Sequence, residues 1–308
     1  MQSTINNQLP KLIVEIGFLL LLSLLWGGSY LLIKVALDTI PPTTLIAVRV
    51  TLGAAFLYVI MKLYGHQLPR DLSTWKSLGV QAFLNSIGAW TVLAWGQQFV
   101  DSGLASVLNS TSPIFVFLLT LVSAKHQTPN ALKLFGALLG LFGVVLIVGV
   151  DALGGLGQQV YAQLAILSGA VMYAGAALYG KRFAKMPATI TATSTMILAS
   201  ICLIPASLII DKPWTIQPSI PSLIAVIVLS IACTGFALLI YFRLLRTLGA
   251  IGTASQAYIR SGIGVLLGVW FLGETISMVV GIGLLCAIAG VAAINYPHKQ
   301  RPKAKHPS

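Results

Sequence analysis

Two arginines stand in segments that otherwise carry no charge. Arg49 lies in "LIAVRVTLGAAFLYVI" (45–60) and Arg260 in "QAYIRSGIGVLLGVWF" (256–271). A guanidinium is permanently charged and presents a planar fork of N–H donors that fits a carboxylate or a phosphate. Anion binding is therefore the chemistry these residues offer. The acids do not answer them from inside the same runs: Glu15, Asp38, Asp71, Asp101, Asp151, Asp211 and Glu274 all fall at or near segment ends. Histidines 66, 126, 298 and 306 also lie outside the apolar cores. A catalytic site would need a nucleophile–base pair or a metal cluster at that depth, and no His, Asp or Glu is there to build one. No cofactor is implied.

Other polar side chains share the arginines' segments. Gln256 lies one turn before Arg260 and Gly264 one turn after it, so that face combines polar reach with close backbone approach; Tyr258 is a neighbour on a different face. Gln81, Asn85, Trp90 and Gln97 follow one another along one apolar segment. The next segment holds "NSTSP" (109–113), where Asn109 opens a polar patch closed by a proline able to free a backbone carbonyl. Trp26, Tyr30 and Lys34 form an i, i+4 ladder, echoed by Tyr173 and Lys181. The aromatics suit either a belt at the membrane surface or the wall of a cavity. Arg49 either reaches the outer surface, where Asp38 or Asp101 could pair with it, or faces a substrate. Arg260 lies too deep to snorkel.

Composition names the solvent around these residues. Of 308 residues, 57% are hydrophobic and 8% charged, against ~25% charged in ordinary soluble domains. The mean hydropathy is +0.91. The solvent is lipid. Segments of roughly 20 apolar residues can each span a bilayer, and the sequence divides into 14–36, 43–63, 76–99, 102–123, 131–150, 160–181, 189–210, 220–242, 248–272 and 276–295. The first could pass for a signal peptide. It lacks a small-residue cleavage site and has an internal counterpart, so it counts as a span.

The net charge of +12 would point to nucleic acid in a soluble protein; here position decides. With the N-terminus in the cytoplasm, the inner side receives Lys11, Lys62, Arg70, Lys76, Lys125, Lys133, Lys181, Arg182, Lys185, Arg243, Arg246, Lys299, Arg301, Lys303 and Lys305. The outer side receives Lys34 and Lys212. That asymmetry is the positive-inside bias of a ten-span protein with both termini cytoplasmic. No nucleic-acid partner follows from it. The basic tail 296–308 reads as a topology anchor that can also touch anionic lipid. Cys202, Cys233 and Cys286 are scattered without CxxC spacing and read as packing residues.

The chain also repeats itself. "LLWGGSYLLIKVA" (24–36) resembles "AVMYAGAALYGKRFA" (170–184), displaced by 147 residues at Trp26/Tyr173 and Lys34/Lys181. "LNSTSPIFVFLLTLVSAKH" (108–126) aligns with "AYIRSGIGVLLGVWFLGE" (257–274) at a displacement of 148. The expectation is an all-α integral membrane protein of ten transmembrane helices in two five-helix repeats, 14–150 and 160–295. Five is odd, so the second copy would enter the membrane inverted, the arrangement alternating access requires.

These stretches resemble the EamA family of the drug/metabolite transporter superfamily. The resemblance rests on "WGGSYLLIKVAL…IPPTTLIAVR" (26–49), "GLASVLNSTSPIF" (103–115) and "FLGET" (271–275), in that order along the chain. It implies two inverted repeats around a central cavity lined by helices other than the fifth and tenth, and movement of small metabolites, often export. Three departures stand out. Ser261 replaces a proline common in the family's ninth helix. Lys125-His126 stands where Gly-Glu is common after the fourth. The first-helix core "GFLLLLSLLWGGSYLLI" lacks the membrane glutamate of the small multidrug exporters. The candidate binding set is Arg260, Arg49, Gln256, Tyr258, Asn85, Trp90, Asn109, Trp26, Tyr30 and Tyr173. The substrate class it suggests is an amino acid or related carboxylate. A proton-coupled exporter of cationic compounds is the alternative.

Overall fold

The computed structural model describes residues 2–123, 131–153, 157–247 and 256–295. Among them the chain is helical, with no strand. Ten helical columns follow one another: α1 (Gln2–Leu37), α2 (Pro42–Leu63), α3 (72–96), α4 (102–123), α5 (Ala131–Leu153), α6 (Gln158–Tyr179), α7 (Ala188–Ile210), α8 (220–247), α9 (Gln256–Leu272) and α10 (Met278–Asn295). Among the described residues six stretches are long and apolar enough to cross a membrane: Ile13–Leu37, Pro42–Leu63, Ser102–Val122, Gln158–Phe183, Ala188–Ile210 and Ile220–Tyr241. Shorter apolar helices occupy Ala131–Leu146, Ile259–Leu272 and Met278–Ala293. The outer surface is that of a protein in lipid. Ile209, Trp270 and Leu285 leave 76%, 75% and 69% of their surface uncovered, which water would not tolerate over so much of a molecule. The chain is a multi-pass membrane protein. The basic tail 296–308 and Lys125-His126 lie outside the described residues.

Three columns are interrupted, each in a way the local chain explains. α3 passes through a π turn at Phe83–Ile87 and α8 through another at Ile231–Phe236. The two turns begin 148 residues apart. α4 breaks between Asn109 and Ser112. Pro113 has no N–H and its ring clashes with the carbonyl of residue 109; the Ser112 hydroxyl donates to that carbonyl instead, at 2.7 Å. Further landmarks recur at the same displacement. Asp71 and Ser219, 148 apart, each cap a helix by accepting a backbone N–H three residues on. Gly65 and Lys212, 147 apart, both take positive φ after α2 and α7.

Packing follows the same exchange of halves. α2 packs on α7, and α5 on α10. The contacts of α1 with α8 and α9 are matched by those of α6 with α3 and α4. Polar ties join the halves at the helix ends. Asp211 Oδ2 accepts from the Thr44 backbone N–H (2.6 Å) and hydroxyl (2.9 Å), capping α2. At the opposite end His66 meets the Thr189 hydroxyl at the start of α7 (2.8 Å). Glu15 pairs with Arg243 (2.8 Å) and accepts from the Thr247 hydroxyl (3.0 Å).

Backbone-close packing of α5 on α10 depends on glycines. A Cβ at Gly143 would stand 2.5 Å from the Gly283 carbonyl oxygen, and one at Gly290 would stand 2.5 Å from that of Gly136. Gly143→Val should therefore destabilise the folded protein by about 1–3 kcal/mol. Gly79→Ala, where a Cβ meets nothing within 4 Å, should cost nothing. Thermal unfolding of the two variants in the same detergent checks the contrast.

Candidate functional site

α2 carries Arg49 into the protein interior. Its side chain is 5% exposed, so it does not reach the outer surface, and no ion pair to Asp38 is present among the described residues. The reading in which Arg49 reaches the outer surface is thereby corrected. Its guanidinium carbon lies 3.9 Å from the ring centroid of Trp90, a cation–π contact on the largest aromatic face available. Its Nε donates to Thr234 Oγ1 at 2.9 Å. Thr234 sits in the π turn of α8 and donates in turn to the Leu229 carbonyl, five residues back, at 2.9 Å. The turn thus supplies both the hydroxyl's acceptor and its direction. Gly53, one turn beyond Arg49, leaves room for the threonine: a Cβ there would press on Thr234 Cγ2 at 3.2 Å.

The indole Nε1 of Trp90 donates to the Tyr173 hydroxyl of α6. Tyr173 thereby stands against the indole that covers Arg49. On the far side, Asn109 Nδ2 at the break of α4 donates to the Tyr30 hydroxyl (2.7 Å). The Tyr30 carbonyl accepts from Gln97 Nε2 (3.1 Å). Arg260 Nη2 donates to Ser110 Oγ, the next residue of the α4 break, at 3.2 Å.

Part of this polar interior is unsatisfied. Arg260 Nε is buried without an acceptor, and Asn109 Oδ1 and Gln256 Oε1 are buried without a donor. Buried polar atoms are paired in the great majority of cases, so a cluster of orphans of both kinds is a chemical signature. Two guanidinium groups offer donors to an anion, while two amide oxygens offer acceptors to an N–H or O–H group. Among the described residues no group of three His, Cys, Asp or Glu side chains gathers to hold a metal.

The structure therefore brings together Arg49, Trp90, Tyr173, Tyr30, Asn109 and Arg260, with Gln256 one turn from Arg260. Trp26 and Asn85 are held elsewhere. Trp26 leans on Tyr241 with ring centroids 5.4 Å apart, and Asn85 donates to the hydroxyl of its neighbour Ser86 at 3.1 Å. Tyr258 belongs to α9, but its side chain lies outside the described residues. Thr234 was not among the sequence candidates. Its signal is the displacement of 148 from Ser86, which sets two hydroxyl residues in the two π turns.

Comparison with known proteins agrees with this architecture. Residues 13–149 and 160–296 each match the model of the EamA-like transporter family. The chain is 26% identical over 285 residues to the uncharacterized inner membrane transporter YedA of Escherichia coli K12, covering 92% of this chain and 91% of that protein. It is 26% identical over 281 residues to the uncharacterized transporter YoaV of Bacillus subtilis strain 168, covering 91% and 96%. One crystal structure shares the fold with a TM-score of 0.64 at 19% identity, covering 91% of this chain and 97% of that one.

The support of Arg49 by Thr234 can be tested without a substrate. Thr234→Val removes the acceptor of a buried charged donor and should cost about 1–3 kcal/mol of stability, whereas Thr234→Ser should retain most of it. In an Arg49→Met background the Val substitution should cost less, with a coupling of about 1–2 kcal/mol in the double-mutant cycle. Denaturant unfolding in detergent gives all four values.

Proposed function

The chain belongs to the EamA-like transporter family, and on that premise we propose that it carries a small anionic or zwitterionic metabolite, an amino acid or related carboxylate, across the cell's inner membrane. The direction proposed is export. The observation that carries this reading is the pair of inward-facing arginines without a carboxylate partner among the described residues, beside amide oxygens that lack donors. A substrate carboxylate completes the first deficit. An ammonium or hydroxyl group on the same molecule completes the second. A cationic drug would complete neither arginine.

In this reading Arg260 holds the anionic group, and Arg49 assists it from the Trp90 face. Asn109 and Gln256 orient the remaining polar end, and Trp90, Tyr173 and Tyr30 close around the body of the ligand. The two matched segments are inverted five-helix repeats, ten spans in all, with both termini in the cytoplasm. Transport proceeds by rocking one repeat against the other about the site. The exchange of packing partners between halves supports a structure with two such equivalent tilts.

The test is uptake of labelled neutral amino acids, acidic amino acids and organic acids into proteoliposomes, with and without a pH gradient. At least one carboxylate should move. Arg260→Ala should reduce its transport by about ten- to a hundredfold, the equivalent of a lost charge-assisted hydrogen bond, and Arg260→Lys should restore part of it. Normal transport by Arg260→Ala would remove that arginine from the site. Movement of cationic compounds alone, driven by a proton gradient, would replace this reading with proton-coupled export.

A further inference from the structure

The polar interior extends beyond the arginines. We propose that the seam between α4 and α9 is the outer half of the substrate path, and that the Glu274 carboxylate is the clasp that holds it shut. The proposal rests on the orientation given under Proposed function, which sets the start of α4 and the end of α9 at the outer face.

The sequence "GVWFLGET" is built to place this carboxylate. α9 ends at Leu272, and Gly273 follows with φ +66, a conformation that favours glycine. The reversal lets the Glu274 backbone N–H donate to the Gly268 carbonyl (3.2 Å) and swings its side chain onto the start of α4. There Oε1 accepts from the Ser102 N–H (2.6 Å) and Oε2 from the Gly103 N–H (2.9 Å). These are first-turn donors with no partner inside their own helix, at its positive dipole end. Gly268 has to be glycine for the carboxylate to fit, since a Cβ there would run into Glu274 Oε2 and come within 2.9 Å of Ser102 Oγ.

Inward of the clasp the seam is polar and shallow. Ser102 and Ser106 stand one turn apart on α4 and face Gly268 and Gly264, one turn apart on α9. Both serines are 0% exposed, and both hydroxyls lack a partner. Other helical serines here, such as Ser200 and Ser230, donate to the carbonyl four residues back. Ser102 and Ser106 instead turn toward the glycines, leaving their hydroxyls unsatisfied while the seam is closed. The next rung inward is Ser110, which already binds Arg260. The result is a line of hydroxyls from the clasp to the arginine.

Neighbouring seams are built differently. α1 meets α8 through the tilted ring contact of Trp26 with Tyr241. α5 meets α10 through glycine backbones in direct contact. Among these seams, α4–α9 is the one whose parting would satisfy buried polar atoms. The ligand it suits is a small, hydrated anionic or zwitterionic solute.

Thiol accessibility tests the clasp. In a background with Cys202, Cys233 and Cys286 replaced by alanine, Ser106→Cys is exposed from the outer face to an anionic, membrane-impermeant methanethiosulfonate. Glu274→Gln should raise its modification rate by about tenfold or more through a shift toward the open seam, and Glu274→Asp should also raise it. A cysteine at the exposed outer position Thr215 should react equally in all backgrounds. Gel filtration and thermal unfolding establish that each variant is folded, and Ser102→Cys replaces Ser106→Cys if the latter is not. Equal, slow modification with and without the Glu274 substitutions would overturn the clasp. Acceleration seen only in inside-out vesicles would contradict the orientation and with it the outer assignment, while a failed transport assay with accelerated labelling would fault the substrate reading alone.

Discussion

A guanidinium in a bilayer has to be satisfied by something other than water, and this requirement organises the interior. Placing an arginine at the centre of a spanning helix costs about 3 kcal/mol by membrane-insertion measurements. The fold meets part of that cost for Arg49 with an indole face and one hydroxyl, and for Arg260 with one serine. Neither receives a carboxylate from the described residues. That deficit is the basis of the substrate reading.

The irregularities of the helices are what make the arrangement possible. A continuous α-helix at 231–236 would not offer Thr234 the Leu229 carbonyl five residues back. A continuous α4 would bond its own backbone through 109–112, where the break instead presents Asn109 to Tyr30 and Ser110 to Arg260. In lipid such breaks persist where side chains re-satisfy the freed groups, and here serine and threonine hydroxyls do so. The helix ends follow the same economy. Lys34 Nζ donates to the Gln97 and Val100 carbonyls at the end of α3 (2.9 and 3.0 Å), and carboxylates close the starts of α2 and α4.

Much of the helical framework could be read from the sequence, because lipid dictates length and polarity so strongly. The segments expected at 43–63 and 189–210 differ by one residue from Pro42–Leu63 and Ala188–Ile210. The π turns could not be read, since neither contains a proline to mark it. Residue type and depth selected Arg49, Trp90, Tyr173, Tyr30, Asn109 and Arg260, yet the same criteria selected Trp26 and Asn85, which are held by local neighbours. Type and depth do not say which way a helix face turns. Thr234 escaped notice because a helical threonine ordinarily bonds its own preceding turn. Glu274 was placed correctly near a helix end, but its reach across to α4 depends on the reversal at Gly273 and the space at Gly268.

The central claim is that the buried positive charge is there for a carboxylate. Ligand-dependent thermal stability of the purified wild-type protein tests it most directly, because a ligand that binds the folded state raises the unfolding temperature by an amount that grows with the logarithm of its affinity. A panel at matched concentration would contain amino acids, their decarboxylated amines, their amides and lipophilic organic cations. The account predicts stabilisation by at least one compound bearing a free carboxylate, lost in its amine and amide counterparts. Stabilisation by organic cations, with no response to any carboxylate, would contradict it.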